Sequence, residues 1–186
     1  MHKLKGTVSI NKIGRQGKLW STCKQVTKGT VNSMLLFFTM PLDETSPLNK
    51  GRLFLVDETK GIVGRWVATS STADKQGIND WNVRGGVIPA TYQLNPPLPF
   101  YSVAVNPVDL KHVKGVEGNG YPITPFEVKT VDGGTRSDLL IHKDANVPGS
   151  MGCIVLPESE FVDFEKVFQE NCEGQSAVKL LVGYTY

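Results

Sequence analysis

Short apolar runs, each bounded by glycine, proline, asparagine or aspartate, recur along the chain. The segments 7–10, 31–39, 52–56, 62–68, 91–94, 102–105, 126–131, 139–141, 154–156 and 177–184 are rich in β-branched and aromatic residues. Such side chains fit a pleated, half-buried surface, and runs of this length between turn formers predict strands. The 19 glycines and 11 prolines supply the punctuation. One segment has a helical period instead. From Pro157 to about Asn171, Phe161, Phe164, Val167 and Phe168 fall on one stripe that is expected to pack on a sheet. Glu158 and Glu160 complement the dipole in its first turn, and Gly174 beyond its end is a stop signal. The pattern predicts a mainly β protein, a sandwich or open barrel, with a single helix.

Residues 1–45 are also patterned as strands, and 41–50, with Asp43, Ser46, Pro47 and Asn49, read as a linker or long loop. The expected organisation is one domain over 46–186, with 1–45 forming N-terminal strands of that domain or a small appendage. About forty residues make a marginal core alone, which favours extra strands on the same sheet. At 186 residues and 40% hydrophobic content, one packed core is expected. The 20 basic and 18 acidic residues leave a net charge of +2, too weak and dispersed to argue for nucleic acid. The basic stretch 1–19 has no apolar run of signal-peptide length, and the apolar stretch 34–38 is too short to span a bilayer. Cytoplasmic synthesis without a signal peptide or membrane insertion is the expectation.

The chemistry concentrates in LLIHKDANVPGSMGCIVL, residues 139–156, where His142 precedes Cys153 by eleven residues. A free thiol, with a pKa of about 8.5, needs an imidazole within reach to become a nucleophile near neutral pH. The run 139–141 delivers His142 at a strand exit, and 146–149 is turn chemistry able to bring the chain back. Gly149, Ser150 and Gly152 allow a tight turn whose N–H groups, from Met151, Gly152 and Cys153, are expected to form an oxyanion hole. Among Cys23, Cys153 and Cys172 one thiol is left over whichever two pair, and a Cys23 to Cys172 bridge leaves Cys153 free. Each assignment has a plainer rival. Cys153 taken alone reads as a buried hydrophobe, but with His142 and the glycine turn beside it the nucleophile is the preferred reading. His142 as a mere strand-end residue stands or falls with it, and Asp144 is an orienting carboxylate or a turn former. Ser150 binds substrate or caps the turn. Arg65, Arg84 and Arg136 meet a substrate carboxylate or stay solvated, and Trp66 and Trp81 stack on a sugar or fill the core. A zinc set of His112, His142, Asp144 and Cys153 has no specific spacing, so no metal or other cofactor is expected.

The segment IHKDANVPGSMGCIVL resembles the active-site signature of L,D-transpeptidase (YkuD-type) catalytic domains, in which a strand-ending histidine is followed by a loop and a Ser-x-Gly-Cys turn. Its short spacing is similar to that of the compact branch injected by bacteria into competitors or encoded by phages. RGGVIPATYQL, residues 84–94, resembles a Gly-Pro-Ile-Pro-x-Gly-x-Tyr strand of that branch at Gly86, Pro89 and Tyr92, and residues 51–70 resemble the family's opening strand pair. The likeness spans roughly 50–170. Met151 and Val155 stand where many members carry polar side chains.

The resemblance implies an L,D-transpeptidase-like β-sandwich or open barrel with one helix after the cysteine strand. It implies that Cys153 is the nucleophile, that His142 is its base with the ring held by the Lys143 carbonyl, and that Tyr92 leads toward the site. The implied activity is L,D-transpeptidase or L,D-carboxypeptidase chemistry on peptidoglycan stem peptides through a Cys153 thioester. Phage virion or secretion-system components are the implied partners for delivery to the wall. A wall-docking structural or virion protein on the same scaffold, with little turnover, is the alternative.

Overall fold

The computed structural model describes residues 33–43, 47–144 and 148–185. The strand expected at 7–10, the first residues of 31–39, Cys23 and the Asn146 end of the turn lie outside the described residues. The strands are β1 (Met34–Pro41), β2 (Gly51–Asp57), β3 (Gly61–Ala68), β4 (Tyr101–Ala104), β5 (Val108–Asp109), β6 (Asn119–Thr124), β7 (Glu127–Lys129), β8 (Thr135–Ser137), β9 (Leu140–Lys143), β10 (Ile154–Leu156) and β11 (Ala177–Thr185). The helix, α1, spans Glu158–Cys172.

Alternation builds the first two strands. Met34, Leu36, Phe38 and Met40 in β1, and Leu53 and Leu55 in β2, are buried at every second position, as a sheet with one face on a core requires. The β2–β3 turn is built by Asp57, whose carboxylate accepts from the Thr59 N–H at 2.8 Å, the Thr59 hydroxyl at 2.6 Å and the Lys60 N–H at 3.0 Å. These bonds pull the Asp57 pKa from 3.8 down to about 2.

The sheet order is β10-β9-β6-β4-β11-β1-β2-β3, with β5 beside β6. The pairs β1–β11 and β9–β10 are parallel. Just past β3, Thr69 pairs with Val155 of β10, each N–H donating to the other's carbonyl at 2.9 and 2.8 Å. The two ends of the sheet therefore meet, and the described residues form a mainly β, near-closed barrel with one seam and α1 outside the sheet. The stripe on α1 packs as expected: Phe161, Phe164 and Phe168 meet the edge of Tyr121, and Trp66 packs edge-on against Phe164. Two helix carboxylates reach β3. Glu160 accepts the Val67 N–H at 2.9 Å and Asp163 accepts the Trp66 indole N–H at 2.8 Å, satisfying donors along β3 beside the seam.

Three expectations are revised. The run 91–94 is not a strand; Thr91–Gln93 is a 3₁₀ turn following a buried loop. The run 126–131 shortens to β7, which pairs with the unexpected β8 in a separate two-stranded sheet. β6 was hidden by Gly120 and Pro122, which read as turn signals although the strand sits between β4 and β9. The described part of 1–45 contributes β1, which lies inside the sheet between β11 and β2. Among the described residues no helix is long and apolar enough to cross a membrane.

Candidate active site

The loop after β9 returns the chain to the same end of the barrel, because β10 runs parallel to β9 with Ile154 opposite Ile141 and Val155 opposite His142. Cys153, one residue before β10, therefore comes back beside the start of β9. Side chains alternate along a strand, so Cys153, two residues before Val155, extends the face that His142 occupies.

Two glycines shape the turn before the cysteine. Gly149 has φ +95° and Gly152 φ +115°, a region that side chains disfavour. A Cβ on Gly149 would lie 2.2 Å from the Ser71 carbonyl oxygen, and one on Gly152 would lie 1.9 Å from Nη2 of Arg136. The residues after β3 form the other side of this clasp. Ser150 donates its N–H to the Ser71 carbonyl at 3.0 Å, and the Ser70 hydroxyl lies 3.4 Å from the Gly152 carbonyl.

The Ser150 hydroxyl donates to the Cys153 carbonyl at 2.6 Å and accepts the Gly152 N–H at 3.3 Å. It thus caps the turn, and it engages one of the N–H groups expected in the oxyanion hole. Asp144 is likewise a turn former: its carboxylate accepts the Gly149 N–H at 3.2 Å, and its own N–H donates to the Leu156 carbonyl at 2.7 Å.

His142 is 4% exposed, and its Nδ1 lies 2.7 Å from the Lys143 carbonyl oxygen. A carbonyl only accepts, so Nδ1 carries the proton and Nε2 keeps a free lone pair, the tautomer a base needs. Burial lowers the His142 pKa, partly offset by that hydrogen bond, so the ring is neutral near pH 7. The Lys143 ammonium pairs with Glu158 at 3.0 Å, tying the end of β9 to the start of α1.

The Cys153 thiol is half-buried and donates to the Asp138 carbonyl at 3.6 Å. Among the described residues no hydrogen bond joins it to the imidazole. Burial pushes the thiol pKa up to about 11; the Leu140 N–H and the Arg136 charge pull it down, and the Asp138 carboxylate raises it further. Asp138 has φ +57°, a left-handed conformation that aspartate tolerates and that aims its carbonyl at the sulfur.

The thiol opens into a cleft of 410 Å³ lined by Arg84, Thr135, Arg136, Ser137, Asp138, Met151 and Cys153. β8 and Asp138 form one wall, Arg84 on the 83–88 loop another, and the cysteine turn the floor. Met151 is exposed at the mouth, at 59%. Arg84 is exposed and has no ion-pair partner among the described residues.

Arg136, expected to offer its fork to a substrate carboxylate, is turned inward and is 4% exposed. Nη1 donates to the Trp81 and Val87 carbonyls at 2.6 and 3.0 Å, and Nη2 to the Gly86 and Met151 carbonyls at 3.1 and 3.3 Å. Tyr92 is exposed on the 3₁₀ turn and does not line the cleft. Trp66 and Trp81 are in the core. The segment 84–90 is a loop pinned from below: Ser70 accepts the Ile88 N–H at 2.9 Å, Tyr101 donates to the Pro89 carbonyl at 2.9 Å, and Tyr184 donates to the Ile88 carbonyl. Cys172, the last residue of α1, is fully buried, and burial pushes its thiol up to about 12. Among the described residues no three His, Cys, Asp or Glu side chains gather as a metal site; His112 is exposed on a turn.

Asp138, Thr135 and Ser137 escaped the sequence reading because Thr-Arg-Ser looks polar throughout and hides a strand with a buried middle residue. Comparison of the chain with protein-family models, with curated proteins and with solved structures found no match.

Proposed function

We propose that the protein is a cysteine acyltransferase acting on peptidoglycan stem peptides, of the L,D-transpeptidase or L,D-carboxypeptidase type. One observation carries this reading. A thiol at the floor of an open cleft precedes a strand paired in parallel with the strand of a buried, neutral histidine whose Nδ1 is held by the next carbonyl.

In the proposed step the Cys153 sulfur attacks the carbonyl carbon of an L-centre linked to a D-amino acid, while His142 Nε2 takes the thiol proton. Collapse of the tetrahedral intermediate breaks the C–N bond, and the imidazolium returns the proton to the leaving amine. A thioester remains, which an amine or water resolves. Turn N–H groups of Met151 and Cys153 are the proposed donors to the oxyanion, and Arg84 is the proposed anchor for a substrate carboxylate. No cofactor enters this scheme. Phage virion or secretion-system components are the proposed route to the wall.

A second reading, a wall-docking protein with little turnover, is favoured by one feature: the resting thiol is protonated and bonded away from the imidazole. Catalytic hydrogen bonds often tighten only on substrate binding, which keeps the first reading ahead. The two separate on incubation with a carbapenem and with tetrapeptide muropeptides. The enzyme gives a covalent adduct on Cys153 and muropeptide turnover, both lost in Cys153→Ala. Sedimentation with wall sacculi without adduct or turnover supports the second reading.

A further inference from the structure

The buried guanidinium of Arg136 has no carboxylate within ion-pair distance among the described residues. Its four terminal N–H groups are divided between two segments, Trp81, Gly86 and Val87 on one side and Met151 on the other. Gly152 lies flat against it, at a distance no side chain would allow. Taking a cation out of water is costly unless it is compensated, and neutral carbonyls satisfy its hydrogen bonds without cancelling its charge.

We infer that Arg136 is a positioning residue that ties the cysteine turn to the 81–87 loop and supplies the buried positive charge toward which the Cys153 thiol ionises. The inference rests on reading Cys153 as the nucleophile. Cys153 lines the same cleft as the guanidinium and follows the Gly152 that lies against it; Tyr101 and Tyr184 are the other groups able to become negative that feel its charge. Both tyrosine hydroxyls donate to carbonyls, so both keep their protons. Cys153 is the group left to answer the charge. The other charged or titratable groups around the sulfur are the Asp138 carboxylate and Arg84 in the cleft, with neutral His142 on the neighbouring strand. Asp138 opposes ionisation, whereas the Leu140 N–H and the Arg136 cation favour it, and of these two only the cation carries a full charge. The thiol proton leaves to His142 during attack, and Arg136 gains and loses none.

The test follows iodoacetamide alkylation of the Cys153 peptide by mass spectrometry from pH 7 to 11 in the full chain, in Arg136→Lys and in Arg136→Gln. Lysine keeps the charge with fewer hydrogen bonds, whereas glutamine keeps donors without charge. The lysine profile is expected to stay near wild type, and the glutamine profile to move alkaline by about one unit, roughly tenfold slower alkylation at a given pH below it. Superimposed lysine and glutamine profiles would overturn the inference. A second comparison leaves Arg136 untouched and holds even where both variants fail to fold. Cys153→Asp sets a fixed anion beside the cation and Cys153→Asn a neutral mimic. The aspartate variant is expected to melt higher at pH 8, with the advantage lost on acidification, since a cation lowers the folded carboxyl pKa and the stabilisation exists only while it is ionised. An asparagine variant that melts as high at pH 8 or higher refutes it. Neither readout needs turnover, so an absence of peptidoglycan activity leaves both outcomes readable.

Discussion

Burial moves the two side chains of the proposed pair in opposite directions, because desolvation disfavours the charged form of each: the Cys153 thiol rises to about 11 and the His142 pKa is lowered. The resting pair is therefore thiol and imidazole, not thiolate and imidazolium. This differs from low-pKa catalytic cysteines, and in the proposed reaction it makes proton transfer part of the attack. Alkylation of Cys153 by iodoacetamide is expected to be slow at pH 7 and to climb until about pH 11, with Cys172 unreactive below that range. His142→Ala should leave that resting profile in place, since the thiol's hydrogen bond goes to the Asp138 carbonyl, while muropeptide turnover is lost. A plateau already reached near neutral pH, abolished by His142→Ala, would show a preformed ion pair instead.

At the scale of elements, the β2–β3 turn hangs on one carboxylate. The Asp57 pKa is about 2 when folded against 3.8 unperturbed, so its contribution to stability is fully present above about pH 4 and is lost as pH falls through about 2. Asp57→Asn is expected to flatten the acid limb of a denaturation-midpoint profile between those limits and to lower the midpoint at neutral pH. A variant with an unchanged acid limb would show that other carboxylates govern it. The strands flanking this turn and α1 were legible in the sequence because each carries its own local signal: a short apolar run between turn formers, and a phenylalanine stripe at helical spacing. β6 and β8 were not, since their pairing is imposed by neighbours far along the chain and overrides the glycine, proline and polar residues they contain. The same division holds in the site. Cys153, His142 and the glycine turn announce themselves by spacing, whereas the inward turn of Arg136 depends on carbonyls that only the folded 81–87 loop presents.

Across the whole molecule, the cysteine sits where the barrel closes. β3 and β10 are the last strands on either side of the seam, and the Thr69–Val155 pair joins them two residues from Cys153. The Thr69 side chain adds a hydrogen bond to the Asn49 carbonyl at 2.7 Å, so the closure also reaches the segment leading into β2. Two substitutions separate these contributions. Thr69→Val removes the hydroxyl alone; Thr69→Pro removes the hydroxyl and the N–H that donates to Val155, and an extended position tolerates the ring. The buried Val155 carbonyl then loses its partner, which costs on the order of 1–3 kcal/mol beyond the valine variant. Hydrogen exchange at the amides of 154–156 should quicken in Thr69→Pro while the amides of β1 and β11, deep in the opposite wall, stay protected. Muropeptide turnover should fall with the exchange protection, because the floor of the cleft is anchored through that strand. Equal stability and equal exchange in the proline and valine variants would mean that α1 and the cysteine turn hold β10 in place without the backbone closure.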